Sequence, residues 1–316
     1  MKLLFTSVGR RVELMQAFKD AAARCNIDLV LYGADITASA PALYFCDETV
    51  IVPRIKSAEY IPALLDICKK EQIDALIPTI DTDLLLLAQN RERFLAVGTR
   101  VFISAPDKIA LCRDKRLTAD YFHSVGLESP APVDDVTQYA GGFPAFIKPK
   151  DGSSSIFAYK VNNAEELTSY ASQVPDYIIQ PFISGTEYTV DIFCDFDGNP
   201  IFITPRIRLA VRAGEVLKTQ IVQDQKIIDE MKQLLQDYKP CGAITVQLIR
   251  QEDTGEDYYI EINPRFGGGA PLSMKAGADA AQALIRLVQG QTLSYCVDAA
   301  EDGAVYSRFD QSVRVL

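Results

Sequence analysis

The 316-residue sequence predicts an α/β fold in its first third, a doubly wound parallel sheet, followed by a longer α+β unit. Three observations point there. Residues 1–104 alternate short β-rich runs with helical patterns, the signature of strand–helix–strand units in a parallel sheet. At Ala105-Pro106-Asp107 the texture changes. Beyond it extended apolar runs dominate, and two of them, Val246-Gln247-Leu248 and Tyr259 to Arg265, carry a concentrated set of polar side chains. With 48% hydrophobic residues, a chain of this length can fill about two cores.

In the first part, Leu3-Leu4-Phe5-Thr6 reads as a strand, residues 11–24 as a helix, Asp28 to Tyr32 as a strand and Thr49 to Val52 as another. Residues 58–71 read as a helix, Ala75 to Pro78 as a strand, 83–96 as a helix and Val101 to Ile103 as the last strand. Ligands of such sheets bind at the carboxyl ends of the strands. The polar loops Thr6 to Arg11 and Pro78 to Asp83 are therefore where a substrate is expected. Only Gly9 of a G-x-G-x-x-G pattern is present, so a nicotinamide dinucleotide has no motif support, although Asp35 follows the second strand. Asp81 and Asp83 also read simply as helix-start residues favoured by the dipole.

In the second part a helix carries Arg113-Asp114-Lys115-Arg116, and another helical stretch holds His123, read as structural. Ser129-Pro130-Ala131-Pro132 is a linker or the lead-in to a strand. The strand Phe143 to Pro149 ends at Lys148 and runs into Asp151-Gly152-Ser153-Ser154-Ser155 and a second strand, Phe157 to Val161. A lysine beside a Gly/Ser turn can cradle phosphate, because successive backbone N–H groups form an anion nest; a solvated hairpin is the alternative. Ile178 to Ile183 is an extended piece whose backbone can meet a planar base, with Glu187 available for a sugar hydroxyl pair. Arg206 and Arg208 alternate on a strand, share a face, and suit either a phosphate or carboxylate or ion pairs with surface acids. Glu261, Asn263 and Arg265 likewise share a face, with Ile260 and Ile262 expected in the core. Oxygen donors beside an arginine suit a magnesium ion carrying nucleotide phosphates.

The net charge of −10 argues against nucleic acid or an anionic membrane as partner. The N-terminus lacks the long apolar core of a signal peptide, and no run approaches the ~18 apolar residues of a membrane span. Seven scattered cysteines without a C-x-x-C pair fit a reducing cytoplasm. A single histidine leaves little scope for a zinc cluster or a Ser-His-Asp triad. Chemistry falls to Lys, Arg, Glu, Asp and bound metal.

Taken in order, Lys115, Lys148, the 151–155 loop, Gln180 to Ile183, Glu187 and the Gln247…Glu261-x-Asn263-x-Arg265 arrangement resemble the ATP-grasp superfamily, in its carbamoyl-phosphate-synthase-like and PylC-like branch. The resemblance covers about residues 100–290, and the preceding sheet is similar to the family's pre-ATP-grasp domain. It implies a pre-ATP-grasp domain over 1–104, a two-lobed ATP-grasp domain over 105–295 with its small lobe about 115–180, and a C-terminal tail over 296–316. It further implies ATP with Mg2+, or Mn2+ in its place. Lys115 and Lys148 would hold the α- and β-phosphates, with Gly152, Ser153, Ser154 and Ser155 closing over them. Gln180, Pro181, Phe182 and Ile183 would meet the adenine and Glu187 the ribose. Gln247, Glu261 and Asn263 would hold the metal and Arg265 the transferring phosphoryl group, with Arg206 and Arg208 assisting or binding a carboxylate. The loop departs from the family in being serine-rich with one glycine. The activity implied is an ATP-dependent carboxylate–amine or carboxylate–ammonia ligase working through an acyl phosphate on small-molecule substrates, with a homodimer compatible. The alternative is a non-catalytic ATP-binding regulatory module.

Overall fold

A computed structural model describes residues 1–152 and 156–315 of the chain. Strands β1 (Lys2–Thr6), β2 (Val30–Asp35), β3 (Glu48–Ile51), β4 (Ala75–Pro78) and β5 (Arg100–Val101) pair in parallel in the order β3-β2-β1-β4-β5. Alternation along β1 sends Leu3 and Phe5 to one face, against Leu14, Met15 and Phe18 of helix Val12–Arg24. Leu4 faces the other way, into a core with Leu64 and Leu87 of helices Tyr60–Glu71 and Asp81–Gln89. Helices thus cover both faces, as the doubly wound reading requires. The strand order turns between β1 and β4, so the loops after these two strands flank a crevice at their carboxyl ends.

The second part contains two antiparallel sheets. In the smaller, β6 (Ala145–Pro149) lies between β7 (Tyr159–Val161) and β8 (Tyr177–Pro181). The larger is built from β9 (Gly185–Cys194), β10 (Pro200–Arg212), β11 (Glu215–Ile221), β12 (Gly242–Gln251), β13 (Asp257–Asn263) and β14 (Val305–Ser307), ordered β13-β12-β9-β10-β11-β14. Helix Gln225–Tyr238, absent from the predicted elements, buries Ile227, Met231, Leu234 and Leu235 against this sheet. The two parts share one apolar core. Phe266 packs edge-on against Phe18 at 6.0 Å and stacks with Phe193 at 6.1 Å, and helix Ala280–Val288 joins the same cluster. Among the described residues no helix is long and apolar enough to cross a membrane.

Four local expectations are corrected. The helix predicted over 83–96 begins at Asp81 and breaks into Asp81–Gln89 and Arg91–Ala96 at Asn90, whose side chain caps the Leu86 carbonyl at 2.8 Å. The helix expected through Arg113 to Arg116 breaks at Asp114, which is extended and accepts the Arg116 N–H at 2.9 Å, so a new helix, Lys115–Ser124, starts at Lys115. Strand β2 runs to Asp35, beyond its predicted end at Tyr32; the Asp35 carboxylate accepts the Gly9 N–H at 2.9 Å. Finally, Ile260 is not a core residue. Gln247 pairs with Glu261 and Leu248 with Tyr259, leaving Ile260 as the extra residue of a β-bulge. Tyr259 and Ile262 are buried while Ile260 lines a cleft.

Candidate active site

A cleft of about 1010 Å³ is lined by residues of both antiparallel sheets and by the loops after β1 and β4. Along it lie Lys115, Lys148, Gly152, Gln180, Pro181, Phe182, Ile183 and Glu187. Arg206, Arg208, Gln247, Glu261, Asn263 and Arg265 line it as well. The fold thus brings into one cavity every nominated residue that it describes; Ser153, Ser154 and Ser155 lie outside the described residues.

At one end two lysines converge. Lys148 shares its face of β6 with Phe146, and both face the cleft. Lys148 is 8% exposed, and its ammonium has no ion pair among the described residues. Burial pushes its pKa down to about 8, and the nearby Lys115 charge adds to the depression, while Glu261 opposes it. Lys115, placed by the break at Asp114, donates to the Gly152 carbonyl at 2.9 Å; burial lowers its pKa too. Between the sheets, Phe146, Phe182, Ile183, Leu248 and Ile260 add apolar surface. In the segment expected to meet a base, the Gln180 side chain donates to the Pro130 carbonyl at 2.5 Å and the Phe182 N–H to the Pro144 carbonyl at 3.2 Å. These two donors are engaged within the protein. Glu187 sits 3.2 Å from Arg208 Nε, and Arg208 also donates to the Gly214 carbonyl at 2.9 Å.

Strands β12 and β13 set the oxygen donors opposite one another: Gln247 faces Glu261, and Thr245 faces Asn263. Asn263 Nδ2 donates to Glu261 Oε1 at 2.9 Å, and Arg265 donates to Asn263 Oδ1 at 3.3 Å. Two amides and one carboxylate make a hard, under-charged donor set. Among the described residues no group of three His, Cys, Asp or Glu could hold a metal by itself. The set therefore fits a magnesium ion that takes its remaining oxygens from phosphate.

Arg206 is different from its neighbour two residues on. It is 2% exposed, and its Nε donates at 2.8 Å to Asp191, which also accepts from Ser273 Oγ at 2.7 Å. Gly269 lies directly over this guanidinium: a Cβ there would sit 2.6 Å from Arg206 Nη2, so close approach demands the glycine. His123, read as structural, lies with Nε2 3.0 Å from the Ser129 carbonyl.

At the other end the parallel sheet contributes. Thr6, Ser7 and Tyr60 donate to Asp83 at 3.0, 3.3 and 2.9 Å, and burial raises the pKa of that carboxyl to about 6. Asp81 accepts from Arg265 at 2.7 Å. Both acids occupy the first turn of a helix, as the sequence suggests, yet each also has a specific partner. Arg11 lines the cleft here; the sequence placed it in the loop Thr6 to Arg11 where a substrate is expected, but with no motif in Gly9-Arg10-Arg11 it did not single the residue out.

A family model for the PylC-like N-terminal domain matches residues 3–102, and one for the ATP-grasp domain matches residues 112–269. The chain is 25% identical over 298 residues to the N-terminal section of the carbamoyl phosphate synthase large chain of Aquifex aeolicus, covering 83% of this chain and 52% of that protein. It thus spans about half the length of that curated relative. In fold it is similar to the biotin carboxylase domain of Hydrogenobacter thermophilus 2-oxoglutarate carboxylase, at a TM-score of 0.75 and 17% identity over 96% of this chain and 73% of that one. It is similar also to an L-amino acid ligase from Bacillus licheniformis, at a TM-score of 0.71 and 17% identity over 91% and 74%. With the ATP-grasp model covering half of the sequence, the chain belongs to the ATP-grasp family.

Proposed function

We propose that this protein is an ADP-forming ligase that joins a carboxylate to an amine or to ammonia through an acyl phosphate. The observation that carries the reading is Lys148. A buried ammonium without an acid partner, crowded by a second lysine, is costly unless an anion is bound. Nucleotide phosphates supply that anion, and the Gln247, Glu261 and Asn263 oxygens lie along the same cleft.

In this reading Lys115 and Lys148 hold the α- and β-phosphates, and Gln247, Glu261 and Asn263 hold Mg2+, or Mn2+, which when bound neutralises charge on the transferring oxygens. Arg265, anchored by Asp81 and Asn263, binds the transferring phosphoryl group. Gln180 to Ile183 border the base through backbone groups, and Glu187 takes the ribose hydroxyls by exchanging Arg208 for them. A substrate carboxylate oxygen bonds to the γ-phosphorus as the bond to ADP breaks. The amine nitrogen then attacks the acyl carbon, phosphate leaves, and the amine loses a proton. Positioning and charge neutralisation suffice for both steps, so the lack of a histidine base is no obstacle. The solved Hydrogenobacter domain is a dimer, which supports a homodimer here. The seven cysteines are all free, which supports a reducing compartment such as the cytoplasm.

Hydroxylamine tests the intermediate. With ATP, Mg2+ and an acid from a broad panel, but no amine, the expected products are a hydroxamate, ADP and phosphate. AMP and pyrophosphate would instead mean adenylation and would remove the phosphoryl role from Arg265. No nucleotide cleavage with any acid, alongside tight ATP binding, would favour a non-catalytic regulatory module.

A further inference from the structure

Four arginines line the cleft among the described residues, and three of them have an acid in contact. Arg206 pairs with Asp191 at 2.8 Å, Arg208 with Glu187 at 3.2 Å and Arg265 with Asp81 at 2.7 Å. Arg11 has none. Among the described residues, the one hydrogen bond of its side chain is from Nη2 to the Thr79 carbonyl at 3.2 Å. The charged groups that face it are Arg265, Glu215, Asp81 and Arg308. Both acids in that set are already bonded to another arginine, Asp81 to Arg265 and Glu215 to Arg308 at 3.3 Å. A guanidinium left over among paired charges, largely buried yet open to the cleft, is a site for an anion the protein does not itself supply.

Its place in the fold says which anion. Contacts run from Glu261 to Asn263, from Asn263 to Arg265, and from Arg265 to Asp81, the first helical residue after the β4 loop. Arg11, bound to Thr79 in that same loop, stands beyond Arg265 at the carboxyl end of the parallel sheet. An anion there is separated from the metal donors by the arginine assigned to the transferring phosphoryl group. The reacting carboxylate belongs at Arg265; what reaches Arg11 is the other end of the same molecule.

We propose that Arg11 holds a second anionic group of the acid substrate, so that the substrate class is acids bearing a further carboxylate or phosphate besides the carboxylate that is activated. This rests on the ligase reading above. Arg206, nominated from the sequence with Arg208 for carboxylate binding, is by contrast held in a buried pair with Asp191, and Arg208 meets Glu187 farther along the cleft, where the ribose is placed.

The test uses matched acids: succinate against butyrate, aspartate against 2-aminobutyrate, and 3-phosphoglycerate against glycerate, each followed by ADP release with hydroxylamine as acceptor. The anion-bearing member of at least one pair is expected to be preferred. Arg11→Gln should lower its kcat/KM by about 10-fold or more, mainly through KM, with Arg11→Lys recovering part of the loss. Affinity for ADP, read by titration, should stay within about two-fold, which together with an unchanged melting temperature excludes misfolding. Success of a phosphoacid over the dicarboxylates, or the reverse, identifies the second group. ADP release that is equal for both members of every pair, or a preference untouched by Arg11→Gln, overturns this proposal and leaves the ligase reading standing. No ADP release with any acid sinks the ligase reading, and this proposal with it.

Discussion

Arg265 Nη2 donates at 2.7 Å to Asp81 Oδ2, across 184 residues of sequence. The first turn of a helix in the parallel-sheet part therefore fixes the guanidinium at the end of the donor-bearing strand. This contact joins the two halves of the cleft, and Asp81 is a positioning residue for Arg265.

Asp81→Asn keeps the size of the side chain and removes its charge. Arg265 should lose a charge-assisted bond and sample other rotamers, lowering kcat by about 10-fold while leaving the KM for ATP within a factor of two. Steady-state kinetics check this. An unchanged kcat would show that Asn263 and the Phe266 carbonyl hold Arg265 without Asp81.

Glu261 is the one carboxylate in the Gln247, Glu261, Asn263 donor set. Glu261→Gln should reduce turnover by about 10²-fold or more, with little effect on melting temperature, since it deletes one strong electrostatic stabiliser and keeps the strand. Turnover that returns to normal at saturating Mg2+ would remove Glu261 from the metal site.

Lys148 sets nucleotide binding against stability. Folded, it loses its proton near pH 8; unfolded, near ~10.4. Below pH 8 both states carry the charge, and the folded state carries it buried and unpaired. Between these values the unfolded chain binds more protons, so the stability attributable to this group rises with pH. Lys148→Met should therefore stabilise the nucleotide-free protein at pH 7, by at most about 3 kcal/mol at 1.36 kcal/mol per pKa unit, with the gain shrinking toward pH 10. The same variant should lose the rise in melting temperature that ATP produces. Denaturant unfolding at several pH values, with and without nucleotide, measures both effects.

Asp83 has the opposite linkage. Its folded pKa of about 6 exceeds the ordinary carboxylate value, so the folded state binds more protons between about pH 4 and 6. Stability from this group is complete below that window and declines as pH rises through it. Asp83→Asn retains an acceptor for Thr6, Ser7 and Tyr60, and abolishes the buried charge. The variant should match or exceed the parent at pH 7, by up to about 3 kcal/mol, and lose that advantage by pH 4. Equal pH dependence of urea unfolding in the two proteins would assign the titration elsewhere.

Alternating patterns in residues 1–104 determined the parallel sheet, because strand and helix periods are local properties of a chain. The Gln247, Glu261, Asn263, Arg265 spacing likewise marked one strand pair, and the lysine before the Gly/Ser turn marked another. What periodicity could not show was the extra residue at Ile260, since a bulge exists only relative to the partner strand. Nor could it tell Arg206 from Arg208: both alternate correctly, yet the first is buried beneath Gly269 and paired with Asp191 while the exposed Glu187 meets the second. Arg11 and Asp81 belong to the cleft only because the order β3-β2-β1-β4-β5 sets the loops after β1 and β4 side by side and the shared core around Phe266 brings β13 to them. Charge pairing and cleft membership depend on distances between segments far apart in the chain, and those distances are set by tertiary packing.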